Sequence, residues 1–249
     1  MTTAIAFCGP STNALDLSQW PGIMLAGPAE AGDVAWAAAN GYTRIGLVDG
    51  YFGATRAPWH KEILYAVDAG VQVLGASSMG ALRAAELDGH GMAGIGRVYA
   101  LYADGTVTAD DEVTLLHGPA DAGYVPLTEA LVNVRLNVQD FIAEGLIDQQ
   151  FGDALITAGR TVHYKDRTIE TIGEVLLCQD HGKSKSQWGQ FRQLWQDRAI
   201  DWKAQDAADL LDQLASPARQ RTPSDGATPG RKLVNTDQFQ LLLNEIGVT

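Results

Sequence analysis

The chain has 249 residues, 46% hydrophobic and 19% charged, enough apolar length to bury a full globular core. Its 30 acidic and 18 basic residues leave a formal net charge of −12, which argues against nucleic acid, where affinity rests on Lys and Arg neutralising phosphates. The two cysteines, Cys8 and Cys178, are too few for a disulfide framework and form no CxxC pair. No apolar stretch reaches the roughly 18 residues of a membrane span, and the first residues, MTTAIAFCGPS, have no basic stretch followed by a long apolar run. A cytoplasmic protein with no membrane association is therefore expected.

In chain order, residues 4–8 (AIAFC) read as a first strand, which Cys8 ends as a small core residue, followed at once by Gly9-Pro10-Ser11. An Ala-rich helix is expected over 33–40, with Asp33 as its N-cap and Gly41 as its stop. Residues 44–48 (RIGLV) form a second strand ending in Asp49-Gly50. A helix over 59–68 begins after Pro58 and ends before Gly70. The third strand, 71–75 (VQVLG), runs through Ala76-Ser77-Ser78 into a helix over 79–87. Strands alternating with helices imply a parallel sheet with right-handed crossovers.

From about residue 105 the texture changes. The acids 110–112 precede an apolar patch at 113–116 and then His117-Gly118-Pro119. Helices are expected over 127–143, 152–163, 166–178, 187–198 and 203–215. Residues 219–234 are rich in Pro, Gly, Ser and Thr and read as a linker. The last segment places Phe239, Leu242, Leu243 and Ile246 on one helical face, suited to docking on its own domain or on a partner. The expected organisation is an α/β core over 1–150, a helical region over 151–218 packed on it, the linker, and an amphipathic tail over 235–249. The fold class is α/β: a small parallel sheet with flanking helices, followed by a mostly helical C-terminal region.

In open parallel sheets ligands bind beyond the carboxyl ends of the strands. The most informative such end reads Ala76-Ser77-Ser78-Met79-Gly80, a loose nucleophile elbow with alanine in place of the usual first glycine. Small residues on either side let the backbone turn sharply and project the Ser78 hydroxyl. Backbone N–H groups at 78–80 then face the same space and can hold an oxyanion. The competing reading makes Ser78 the N-cap of the helix. A serine needs a base. Lys61 and His60 both stand at the start of the preceding crossover helix; a lysine serves as a base only as a neutral amine, whereas an imidazole is the ordinary base of neutral pH. Residue types alone leave that choice open. Gly9, Ser11, Asp49 and Arg83 lie near the same edge, Asp49 able to orient a base or cap a turn and Arg83 able to pair with Glu86 three residues on. Asp110, Asp111, Glu112 and His117 have metal-ligand chemistry, but adjacent acids in a loop are more commonly solvated or capping, and no metal or cofactor is assigned. Asn133 and Arg135, two apart on a helix, point to different faces.

WHKEIL at 59–64, GASSMGALRAAEL at 75–87, DDEVTLLHGP at 110–119 and PLTEALVNVR at 126–135, with FCGPS at 7–11 and LVDGYF at 47–52, resemble the TfuA-like family. The resemblance covers about residues 4–140 and continues more loosely at IDWKAQDAADLL, 200–211. It implies action beside a YcaO-type enzyme that converts peptide amides to thioamides. The implied role is hydrolysis of the C-terminal thiocarboxylate of a ThiS-type sulfur carrier protein, which supplies sulfide, together with help in holding the precursor peptide. It also implies a Ser–Lys pair, here Ser78 and Lys61, with Ser77 a weaker candidate and Met79 and Gly80 lining the oxyanion site. Two other readings stand beside it: a recruitment module without chemistry, and a general serine hydrolase using His60.

Overall fold

The computed structural model describes residues 3–53, 55–179, 184–216 and 236–248. Its centre is a five-stranded, wholly parallel sheet built from β1 (Ala4–Phe7), β2 (Ile23–Ala26), β3 (Arg44–Leu47), β4 (Gln72–Ala76) and β5 (Met92–Ile95), in the order β2-β1-β3-β4-β5. Three of the five were expected. The strand β2 (IMLA) lies at the sheet edge with Met24 exposed, so it lacks the continuous apolar run of a central strand. The other edge strand, β5 (MAGI), buries only its end residues.

Alternation along the strands decides what covers each face. Ile5, Phe7, Ile45, Leu47 and Val73 pack with residues of three helices, α1 (Asp33–Ala39), α2 (His60–Asp68) and α3 (Met79–Glu86). Ala4, Ala6, Cys8, Val48, Leu74 and Ala76 pack instead with Ala207, Leu210, Leu211 and Leu214. A helix from late in the chain therefore covers the second face. The chain divides into two compact units, 1–108 with 203–249, and 109–202; the change of texture was read at about residue 105, and the expected regions were divided at 150, 218 and 234.

The first unit also holds α4 (Gly96–Ala103), which the sequence reading did not include. In the second unit α5 (Leu131–Ala143), α6 (Gln149–Thr161), α7 (Ile169–Gln179) and α8 (Lys185–Arg198) enclose a core rich in aromatic residues, among them Phe141, Phe151, Trp188 and Phe191. The expected helix over 127–143 starts only at Leu131, because 116–127 is tied back by Gly118 N–H to Val125 O and Leu127 N–H to Leu116 O. The remaining helices are α9 (Trp202–Ala215) and α10 (Asp237–Glu245). The face of α10 formed by Phe239, Leu242 and Leu243 buries itself against Ala35, Trp59 and Tyr65, so the tail docks on its own unit. The expected linker, 219–234, lies outside the described residues. Helix α1 begins differently from expectation: Gly32, at φ 105, is the N-cap and Asp33 the first helical residue, its carboxylate accepting the Glu30 N–H.

Candidate active site

β4 passes into α3 through two residues, Ser77 and Ser78. Ser77 has φ 67, a left-handed conformation unusual for a side-chain-bearing residue, and the Ser78 N–H donates to Ala76 O at 2.7 Å across it. The turn is this tight because strand and helix nearly touch. A Cβ on Gly75 would lie 2.2 Å from Gly80 O, and one on Gly80 would lie 1.7 Å from Leu47 O. The small residues that permit the close approach are therefore Gly75 and Gly80, and Ala76 in the expected glycine position is accommodated.

Ser78 occupies the N-cap position of α3, but its hydroxyl makes no capping hydrogen bond. The helix start is closed by backbone instead, with Ala81 and Leu82 N–H donating to Ser78 O. Ser78 as a whole is 9% exposed at the tip of the turn. Of the amides at 78–80, that of Ser78 is spent on Ala76 and that of Gly80 on Val48 O at 3.2 Å. Among the described residues this leaves the Met79 N–H to face an incoming oxyanion, one donor rather than the three expected. Ser77 Oγ, fully buried, has no hydrogen-bond partner among the described residues.

The start of α2 is joined to α3 by a polar network. His60 Nε2 lies 2.8 Å and Arg83 Nη1 2.5 Å from Glu86 Oε2, while Arg83 Nε donates to Pro58 O at 2.9 Å. Burial pushes the Glu86 carboxyl up, but hydrogen bonds from His60 and Arg83 outweigh it and hold it below the usual range. Arg83 thus pairs with Glu86, as its spacing suggested, and also holds the chain entering α2. The His60–Glu86 pair was not legible in the sequence. Lys61 Nζ donates to Thr236 Oγ1 at 2.8 Å, in an exposed contact with the residue that N-caps α10.

Asp49 is buried beyond β3, beside the point where this strand order reverses between β1 and β3. Its carboxylate accepts the N–H groups of Gly9 (2.9 Å) and Ser11 (3.1 Å) and the Ser11 hydroxyl (2.7 Å). Gly9, Ser11 and Asp49 therefore come together, as a closed loop brace; a Cβ on Gly9 would meet Pro28 at 2.5 Å. Burial first, then the Asp49 charge, push the neighbouring Cys8 thiol far above its ordinary range, so it stays an unreactive core group.

The sequence reading passed over Glu62. Its buried carboxylate accepts N–H groups from Gly32, Val34 and Ala35 at the start of α1 and from Trp59 at the start of α2. The signal was present: a glutamate three residues after the N-cap is the reach-back half of a capping box. Burial raises this carboxyl to about 7 against the pull of those four donors.

In the unit 109–202 two acids of DDE, Asp111 and Glu112, are charge-paired. Glu112 accepts two bonds from Arg135 (3.0 and 2.6 Å) and lies 3.5 Å from Arg160, and Asp111 accepts from the fully buried Arg167 at 2.8 Å. His117 packs edge-on against Tyr124. Among the described residues no group of three or more His, Cys, Asp or Glu is placed to hold a metal ion. Asn133 bonds Asp201, so it and Arg135 serve different partners, as two positions apart on a helix require.

Residues 49–168 match the family model described as TfuA-like protein. Over that stretch, just under half of its length, the protein is TfuA-like. The matched stretch of this TfuA-like chain holds Lys61, the Ser77-Ser78 turn, the Arg83–Glu86 pair and the Glu112–Arg135 pair. The Gly9–Ser11 loop, α9 and α10, with Thr236, lie outside it. No curated protein matches the chain.

Proposed function

We propose that this TfuA-like protein hydrolyses the C-terminal thiocarboxylate of a ThiS-type sulfur carrier in the cytoplasm and supplies the sulfide to a YcaO-type enzyme that thioamidates a precursor peptide. The observation that carries the reading is the Ser78 hydroxyl. It stands at the tip of a tight strand-to-helix turn, not spent on capping, beside the uncommitted Met79 N–H. Strained turns of this kind are where folds hold reactive groups.

In the proposed reaction a neutral amine takes the Ser78 proton and Oγ bonds to the thiocarboxylate carbon. The Met79 N–H meets the developing oxyanion. The C–S bond then breaks, the proton passes to sulfur, and hydrosulfide leaves. Water next bonds to the acyl carbon, the C–Oγ bond breaks, one water proton returns to Oγ and the other passes through the amine to solvent, and the carrier carboxylate is released. The lysine implied for the amine by the family resemblance is Lys61. The test is sulfide release from purified thiocarboxylated carrier: Ser78→Ala is expected to abolish it, and a wild-type rate in that variant refutes the hydrolase.

A second reading is favoured by the Lys61 contact. With its amine bonded to Thr236 at the surface, Lys61 holds the tail in place, and the protein recruits carrier or peptide to the YcaO-type partner without chemistry of its own. On that reading Ser78→Ala supports thioamidation at the wild-type rate in a reconstituted reaction.

A further inference from the structure

Ser77 is unfavourable in two ways, and packing explains neither. At φ 67 a residue with a Cβ is strained, whereas glycine adopts that conformation freely. Its hydroxyl is fully buried and has no hydrogen-bond partner among the described residues. A polar group withdrawn from water and left unpaired destabilises the fold. Glycine at this position would remove both penalties, and alanine the second. A buried polar atom without a partner in a folded protein calls for an explanation outside packing, and a catalytic role is one of the few available.

The turn beside it is short of donors. A developing oxyanion is ordinarily held by more than one preorganised donor. Here the Ser78 amide bonds Ala76 O and the Gly80 amide bonds Val48 O, which leaves the Met79 N–H. Two side-chain donors near this edge are committed as well, Ser11 to Asp49 and Arg83 to Pro58 O and Glu86. Ser77 Oγ has no such commitment. An oxygen that accepts from both Ser77 Oγ and Met79 N needs the two donors within about 5.5 Å of each other. Ser77 and Met79 flank Ser78 directly, in a chain whose consecutive Cα atoms are about 3.8 Å apart, so one oxygen can reach both. The start of α3, an eight-residue helix, favours negative charge at the same place.

We propose that the Ser77 hydroxyl is the second oxyanion donor of this site, bonding the former carbonyl oxygen once Ser78 Oγ has bonded to the thiocarboxylate carbon. The assignment rests on the hydrolase reading above. That oxygen is two bonds from Ser78 Oγ and therefore lies against the turn itself. Ser77 donates a hydrogen bond and keeps its proton, so the steps of the reaction are unchanged. Its burial excludes water that would compete for the hydroxyl, and a hydrogen bond to a charged oxygen is stronger in such surroundings. The bond strengthens as charge develops, so it raises kcat more than it tightens substrate binding.

The test compares wild type and Ser77→Ala in sulfide release from thiocarboxylated carrier and in thermal unfolding. Ser77→Ala is expected to lose about 10²–10³-fold in kcat, the usual worth of one oxyanion donor, with KM within about twofold of wild type. Its melting temperature is expected to rise by about 2–4 °C, because the unpaired hydroxyl is gone. A hydroxyl with a structural role would instead lower the melting temperature on removal, and that fall overturns the assignment. So does a wild-type kcat in Ser77→Ala while the wild type is active. Activity kept in Ser78→Ala and abolished in Ser77→Ala would make Ser77 the nucleophile, and likewise overturns it. A wild-type chain that releases no sulfide refutes the hydrolase reading itself, and the assignment with it.

Discussion

Replacing Gly80 by alanine probes the strand-to-helix turn most directly. The added Cβ would stand 1.7 Å from Leu47 O and 2.6 Å from Leu47 C. Both are backbone atoms of the central strand β3, so no rotamer change relieves the overlap. Real Cβ contacts stay beyond 3.0 Å, and α3 has to retreat from the sheet by more than 1 Å. That retreat also breaks the bond from Gly80 N–H to Val48 O, 3.2 Å long in the native turn. Overpacking of this kind costs about 1–3 kcal/mol and a lost buried hydrogen bond about 1 more. A total near 3 kcal/mol lowers the melting temperature of a protein this size by about 6–12 °C. The same displacement moves Ser78 and Met79, and a misplacement of about 1 Å costs up to about 10²-fold in rate. The control is Gly22→Ala, where an added Cβ meets nothing within 4 Å and the melting temperature should stay within about 1 °C. Calorimetry of both variants, with sulfide release from the carrier, reads the effect. A Gly80→Ala protein melting within about 2 °C of wild type would show that the glycine is not demanded by packing.

Further outcomes follow from the same contacts. Ser78→Ala is expected to change the melting temperature by less than about 1 °C, because the hydroxyl makes no cap bond; a loss of about 1 kcal/mol, the usual value of a helix cap, would restore the capping role. Glu62 binds its proton more tightly folded than unfolded, its carboxyl being raised from 4.5 to about 7, so its contribution is complete below about pH 4.5 and is lost as pH rises through about 7, about 3 kcal/mol in all. Thermal midpoints should therefore fall between about pH 5 and pH 8, and Glu62→Gln should flatten that trend; equal slopes in the two proteins would refute the assignment. Phe239→Ala empties the fully buried seat of α10 beside Tyr65 and should cost about 3–5 kcal/mol in chemical denaturation, while Leu241→Ala, on the exposed face, should cost less than about 0.5. Arg135→Leu leaves the Glu112 carboxylate buried with only the longer Arg160 contact and should destabilise by about 3–5 kcal/mol, read by denaturation of the same protein.

Much of this architecture was legible because local rules carried it. The runs AIAFC and RIGLV are central strands, buried on both faces, and nothing but strand accounts for so short an apolar run bounded by glycine and aspartate. Helices α1, α2, α3 and α6 to α9 lie within a few residues of expectation because their stripes repeat at helical spacing. The two edge strands were hidden because an edge strand exposes part of its length and loses the continuous apolar signature. The site was legible to the same degree: the strand, the small residues and the serines of GASSMG marked the turn, since sharp reversal demands small side chains.

The sequence by itself determined the α/β class, the parallel sheet, the place of the serine turn and the charge pairs that spacing allows, because each depends on residues within about four positions of one another. Only the tertiary structure decided which serine is strained, which amide is left open, and which lysine is buried. The first two depend on how closely α3 packs on β3 and β4, and the third on where α9 returns to the sheet after more than a hundred residues. Lys61 and Lys203 are chemically identical in the chain, and only packing separates them: one bonds Thr236 at the surface, the other sits within the stripe that closes the second face of the sheet.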